Sequence, residues 1–229
     1  MMSEGAGHAL VTGASSGIGE TIARRLLAAG WRVTGVARRA AAIEAPGWRA
    51  IEADLATDTG CAATLAACGA VDAFVHAAGL LRTAPLGQLD PESGAQMWRL
   101  HVAAAERLCD GLAPRLPEGG RIVLIGSRAA QGVAGRSQYA ATKAALAALA
   151  RSWAIELAPR GVAVNVVAPA ATQTPMLADP ARAATPPRLP PMGRYVQPDE
   201  VAGAVAFLLS AQAQMITGQT LTICGGSSL

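Results

Sequence analysis

Ala9-Leu10-Val11-Thr12-Gly13-Ala14-Ser15-Ser16-Gly17-Ile18-Gly19 is the stretch on which the fold turns. Ala9 to Val11 is a short apolar run, suited to a buried strand, and the glycines that follow keep the spacing TGxxxGxG. Ile22, Ala23, Leu26 and Leu27 then recur at three and four, and Gly30 ends the pattern, which predicts a helix. Trp31 to Val36 reads as a second strand. A strand, a glycine-rich turn, a helix and a strand within about thirty residues open a doubly wound nucleotide fold. The glycines let the backbone pass close to a pyrophosphate, and the helix N-terminus faces its charge. Such a turn also occurs in α/β proteins that bind no dinucleotide, so further residues must decide.

The alternation continues. Ala50 to Ala53, Val71 to His76, Arg121 to Ile125, Val162 to Val167 and Leu221 to Cys224 read as strands. Cys61 to Ala67, Pro91 to Leu112, Ser137 to Leu157 and Pro198 to Leu209 read as helices. The expectation is one α/β domain over residues 1–229, a Rossmann-like doubly wound parallel sheet of about seven strands with helices on both faces. Thr174 to Gln197 departs from the pattern, with prolines at 175, 180, 186, 187, 190 and 191. It is too long for an ordinary connection, and reads as a substrate lid or else as a surface loop.

Composition removes several function classes. The 19 basic and 16 acidic residues leave +3, too little for a nucleic-acid binder, which carries a dense basic stripe. No apolar run is long enough to span a membrane, and Met1 to His8 lacks the pattern of a signal peptide, which predicts a cytoplasmic protein. Cys61, Cys68, Cys109 and Cys224 form no CxxC pair and only three histidines exist, so no metal site is expected.

Of the 19 basic residues, 18 are Arg, and Lys143 is the single Lys. Tyr139 lies four residues before it, on the same face of a predicted helix. A phenol has a pKa near about 10, and an adjacent ammonium favours the phenolate. A Tyr so tuned can protonate a carbonyl oxygen or take the proton back. Ser127, twelve residues before Tyr139 and just past the fifth strand, is placed to hold the same oxygen.

Thr12-Gly13-x-x-x-Gly17-x-Gly19, Asp54, Ala77-Ala78-Gly79, Ser127 and Tyr139-x-x-x-Lys143 follow one another in this order. The chain thereby resembles the short-chain dehydrogenase/reductases (SDRs) over nearly all of its length. Asn165-Val166-Val167-Ala168-Pro169, Thr217-Gly218-Gln219 and Gly225-Gly226 look like that family's later landmarks. The resemblance implies that Tyr139 is the general acid/base, that Lys143 lowers its pKa and binds the nicotinamide ribose, and that Ser127 positions the carbonyl. It implies a phosphate turn of Gly13, Ser15, Gly17, Ile18 and Gly19, an adenine site flanked by Asp54 and Leu55, and a cofactor wall at Ala78 and Gly79. Pro169, Thr172 and Thr174 would lie along the nicotinamide. Ile18 and Leu55 also read as core, and Thr172 and Thr174 as turn residues.

Three departures stand out. The usual Asn before Ala-Gly is His76, the Gly after Pro169 is Ala170, and the relay Asn of the long helix is His101. In that slot an Asn helps to hold a proton-relay water. A neutral imidazole has one donor and one acceptor nitrogen, so His101 reads either as a substitute relay group or as a core histidine.

These residues predict an NADP(H)-dependent oxidoreductase acting on a secondary alcohol or ketone. Ala37 stands where an NAD enzyme carries an acid, and Arg38, with Arg39 and Ser16, is placed to meet a 2′-phosphate. The alternatives are an NAD-dependent dihydrodiol-type dehydrogenase and a catalytically inactive cofactor-binding regulatory protein. The expected partners are a small ketone or alcohol and further copies of the chain, with no nucleic acid and no membrane. The alanines along Ser137 to Leu157 allow close helix pairing, as in a homotetramer, or a homodimer.

Overall fold

The computed structural model describes residues 7–179 and 185–229. Residues 1–6, which carry most of the N-terminal expectation, and residues 180–184 of the expected lid, Pro180 included, lie outside the described residues. Seven strands form one sheet: β1 (His8–Thr12), β2 (Arg32–Ala37), β3 (Trp48–Glu52), β4 (Ala73–His76), β5 (Arg121–Ile125), β6 (Ala163–Pro169) and β7 (Thr220–Ile223). All neighbours are parallel, in the order β3-β2-β1-β4-β5-β6-β7.

Alternation along the inner strands builds two cores. Ala9 and Val11 of β1, Val75 of β4, and Val123 and Ile125 of β5 face one way. Leu10, Phe74, Ile122 and Leu124 face the other. Strands buried on both faces read as continuous apolar runs, as β1 and β5 do. Helices α1 (Gly17–Ala28) and α6 (Pro198–Leu209) cover the first face with Ile22, Leu26, Val201 and Val205. Helices α2 (Asp58–Ala67), α4 (Ala104–Leu112) and α5 (Ser137–Leu157) cover the second with Cys61, Leu108, Leu112 and Leu146. Each such leucine contributes about 1.5–3 kcal/mol on burial. The strand order reverses between β1 and β4, and a crevice opens there at the carboxyl ends of the strands.

Several element bounds shift by a few residues, and two differences from the sequence expectation bear on the site. The fourth strand begins at Ala73, not Val71, because Asp72 turns the corner: its N–H donates to the His8 carbonyl at 2.8 Å, and its carboxylate accepts the His8 N–H at 2.7 Å. The helix expected from Pro91 to Leu112 is interrupted. Helix α3 (Pro91–Trp98), capped by the Asp90 carboxylate, passes into one π-helical turn, Arg99–Ala103, before α4 begins. That extra residue swings His101 inward, to full burial; a π turn of this kind often marks a functional site.

Asn165, the one asparagine of the chain, ties the last strand in place. Its Nδ2 donates to the Ile216 carbonyl at 2.6 Å and its Oδ1 accepts the Gln219 N–H at 3.0 Å. Asn165→Ala strands both backbone groups at a buried position, so it should cost about 2 kcal/mol. In urea unfolding the midpoint should fall with the slope unchanged.

Candidate active site

The site starts at the end of β1. The Thr12 hydroxyl accepts the N–H groups of Ala77 and Ala78, both at 3.0 Å, and lies 3.0 Å from His76 Nδ1. With both acceptor positions of the hydroxyl occupied, its proton goes to His76 Nδ1. His76 is therefore the Nε2–H tautomer, and it donates to the Leu100 carbonyl of the π turn at 3.2 Å. This draws the loops after β1 and β4 together. A Cβ on Gly13 (φ +68°) would lie 2.8 Å from the Ala78 backbone, and one on Gly19 would lie 2.3 Å from the Gly13 carbonyl oxygen. The backbone packing itself therefore requires both glycines. Ser16, at the start of α1, does not cap the helix with its side chain, which leaves first-turn N–H groups facing the crevice.

A cavity of about 660 Å³ runs along the crevice. Gly13, Ser15, Ser16, Gly17, Ile18 and Gly19 form its floor, and Arg38, Arg39, Asp54 and Leu55 one end. Ala78, Gly79, Pro169, Thr172 and Thr174 lie along it, and Ser127, Tyr139, Lys143 and His101 close the other end. Every candidate catalytic and cofactor-binding residue named from the sequence thus borders one space. Leu55 also belongs to the core, and Thr172 donates to the Ala170 carbonyl at 2.9 Å, so both serve structure as well as the wall.

At the closed end, Tyr139 and Lys143 lie one turn apart on α5. Lys143 is 5% exposed, and its Nζ donates to the Ile125 carbonyl at 2.9 Å and sits 5.9 Å from the centre of the Tyr139 ring. Burial pushes its ammonium down to about 7. Ser127 Oγ accepts the Ala129 N–H at 3.1 Å, which leaves the hydroxyl proton free to be donated. His101 stands edge-on to the Tyr139 ring, with centroids 5.7 Å apart. Its Nε2 accepts the Leu80 N–H at 3.0 Å. Its Nδ1 lies 2.9 Å from the Thr142 hydroxyl, which itself donates to the Tyr139 carbonyl at 2.8 Å, so Nδ1–H is the donor. Burial, and then the charge of Lys143, hold both histidines below their ordinary range, His76 at about 3. Neither is an imidazolium at neutral pH. Both nitrogens of His101 have protein partners, so a relay water at His101 requires one of these bonds to open.

Residues 13–228 match the family profile described as enoyl-(acyl carrier protein) reductase. The chain belongs to the short-chain dehydrogenase/reductases. Among curated SDRs it is 37% identical to the 3-oxoacyl-[acyl-carrier-protein] reductase of Vibrio harveyi, over 95% of this chain and 96% of that one. It is 34% identical to the L-xylulose reductase of Bos taurus, over 96% and 95% of the two chains. A short chain dehydrogenase from Burkholderia cenocepacia, solved in complex with NADP, superimposes with a TM-score of 0.86 at 37% identity, covering 96% of this chain and 97% of that one.

Several residues of this SDR's cavity escaped the sequence reading. Gln96, Arg99, Arg128 and Arg136 line its Ser127–Tyr139 end. The signal for Arg128 was its place directly after Ser127, and among 18 arginines it did not stand out. Among the described residues, no group of three or more His, Cys, Asp or Glu could hold a metal ion, and no helix is long and apolar enough to cross a membrane.

The lowered pKa of Lys143 makes stability depend on pH. As pH falls, the unfolded chain protonates this amine near its ordinary 10.5, and the folded chain only near 7. Between these values the unfolded state holds more protons, so stability falls as pH falls. Relative to Lys143→Met, the apoprotein should lose stability from about pH 10 to about 7 and then level off. Urea unfolding of both proteins across that range measures the difference. A constant difference would mean that the ammonium is solvated.

Proposed function

We propose that the chain is an NADP(H)-dependent oxidoreductase that interconverts a secondary alcohol and a ketone. The observation that carries this reading is the meeting of Ser127, Tyr139 and Lys143 in one cavity with the glycine turn. The cradle formed by Gly13, Gly19 and the uncapped start of α1 suits a pyrophosphate. When bound, NADP(H) supplies or accepts the hydride. The Ser127 hydroxyl donates to the substrate oxygen and fixes the carbonyl. The Tyr139 phenol protonates that oxygen as negative charge develops on it, and takes the proton back in the reverse direction. Lys143 binds the nicotinamide ribose, and its charge favours the phenolate. Leu80, whose N–H meets His101, and Leu81 border the same cavity and help to exclude water from it.

Arg38 and Arg39 follow β2, border the cavity and are exposed. Ala37 leaves no carboxylate there to repel a phosphate. These features support NADP over NAD, with Ser16 as a further donor. Residues 174–197 form the substrate lid in this reading, and residues 1–229 make one domain. A homotetramer built on paired long helices is supported by Ile155, 77% exposed on α5, and light scattering at micromolar concentration would return four chain masses. A monomer mass would overturn that assembly.

Tyr139→Phe should lower turnover below a tenth of wild type, a loss of more than ~1.4 kcal/mol in the barrier, while NADPH binding persists. Turnover above that level removes Tyr139 as the acid/base. Arg38→Ala should shift the ratio of catalytic efficiencies, NADPH over NADH, toward NADH by about tenfold or more, the size of one charge-assisted contact. A wild type that uses NADH as well as NADPH would favour the NAD-dependent dehydrogenase reading.

His101 acts in this proposal by positioning, through Leu80 and Thr142. His101→Asn can still accept one N–H and donate one, and should remain active. His101→Leu leaves the Leu80 N–H without its acceptor, and should lose about tenfold in kcat with little change in KM. Wild-type turnover by His101→Leu across the pH range would leave His101 as packing alone.

A further inference from the structure

The end of the cavity around Ser127 carries charge that proton transfer does not call for. Arg99, Arg128 and Arg136 line it, and among the described residues the single acid on the cavity wall is Asp54, at the other end. Two of the three arginines are engaged by protein. Arg99 pairs with Glu92 at 2.5 Å, and Arg136 donates to the Thr185 carbonyl at 2.8 Å. Arg128 has neither a hydrogen bond nor an ion pair among the described residues. It is half-buried, and it directly follows Ser127 in the chain. Its backbone is held, because Ser127 Oγ accepts the Ala129 N–H and so starts the short helical turn Arg128–Gln131. A guanidinium is thus tethered one residue from the hydroxyl that holds the reacting oxygen.

The start of α5 leaves this region positive. Helices α1, α2, α3, α4 and α6 each carry an acid in the first turn, whereas α5, which opens with Arg136 and Ser137 beside the cavity, has none. An acid at a helix start is ordinarily stabilising. Here an acid would occupy the arginines and repel an incoming anion. A partly desolvated guanidinium without a partner is also costly, and it recovers that cost by a two-pronged pairing with a carboxylate or phosphate.

We propose that Arg128 is the anion-reading residue of the substrate site, and that the preferred substrate is a ketone, or the matching alcohol, bearing a carboxylate or phosphate a few bonds from the reacting carbon. This rests on the reductase reading above and extends it to a substrate class. Leu80, Leu81 and Met176, which border the same cavity, then shield the carbonyl while the anion sits at the arginine.

Two matched pairs of probes test the idea: acetoacetate against ethyl acetoacetate, and dihydroxyacetone phosphate against dihydroxyacetone. Each separates charge from carbonyl chemistry, and together they separate carboxylate from phosphate. Reduction by NADPH should show kcat/KM at least tenfold higher for the anion in at least one pair. Arg128→Ala and Arg128→Gln should bring that ratio close to one, mainly through KM, and Arg128→Lys should restore part of it. Arg49→Ala, which removes the same charge from an exposed position on β3 that does not line the cavity, should leave the ratio in place. A wild-type ratio of one or less in both pairs, or a ratio that the Arg128 variants leave intact, overturns the proposal while turnover of the neutral ketones sustains the reductase. If none of the four probes is reduced with NADPH or NADH, the reductase reading fails, and binding then decides the subsite by itself. In titrations followed by NADPH fluorescence, anions bound tenfold more tightly by wild type than by Arg128→Ala sustain it, and equal binding removes it.

Discussion

Where β1 and β4 end side by side, the chain leaves them in opposite directions, and the N–H groups of Ala77 and Ala78 need acceptors. The Thr12 hydroxyl takes both. An unmet buried N–H costs about 1–3 kcal/mol, so one side chain holds the crevice shut at its base. Its remaining proton fixes the tautomer of His76, and that tautomer allows His76 to donate to Leu100. Gly13 can then press against Ala78 because it has no Cβ to obstruct the approach. The width of the cofactor crevice and the placement of the π turn therefore depend on the same hydroxyl.

The π turn carries this order onward to the Tyr139 end of the crevice. It directs His101 inward, where the ring joins the Leu80 N–H to the Thr142 hydroxyl, and Thr142 in turn to the Tyr139 carbonyl. Defined donors and acceptors, joined through the Leu100–His101 backbone, thus link the first strand to the backbone of Tyr139. It works only while both imidazoles are neutral, because an imidazolium has two donors and no acceptor. Burial and the nearby Lys143 enforce neutrality. Three ionisable nitrogen bases share this buried region, and the histidines give up their charge so that the lysine alone can carry one.

Much of this was legible in the sequence, for identifiable reasons. Strands buried on both faces leave continuous apolar runs, and α5 and α6 match their expected bounds because Leu146 and Ala150, and Val201 and Val205, keep the helical period. The glycine spacing was legible because close backbone approach admits no other residue. The π turn was not legible: one added residue leaves the apolar pattern Met97, Leu100, Ala104 and Leu108 nearly unchanged while it rotates His101. Nor was the partner of His76, which comes from a residue 24 positions later in the chain. Arg128 was hidden differently, since in a chain that uses Arg for nearly every positive charge, an arginine beside the site looks like any solvated one.

That same bias explains why position 143 remains a lysine. Arginine keeps its proton in any protein environment and presents five donors. At a site only 5% exposed, the described residues offer Lys143 one acceptor, the Ile125 carbonyl. A guanidinium would bury a permanent charge with most of its donors unmet, at a cost of several kcal/mol. An ammonium places one compact charge beside Tyr139, has fewer donors to satisfy, and can lose its proton where burial disfavours the charge. Lowered to about 7 by burial, Lys143 titrates close to neutrality, where a guanidinium would keep its proton.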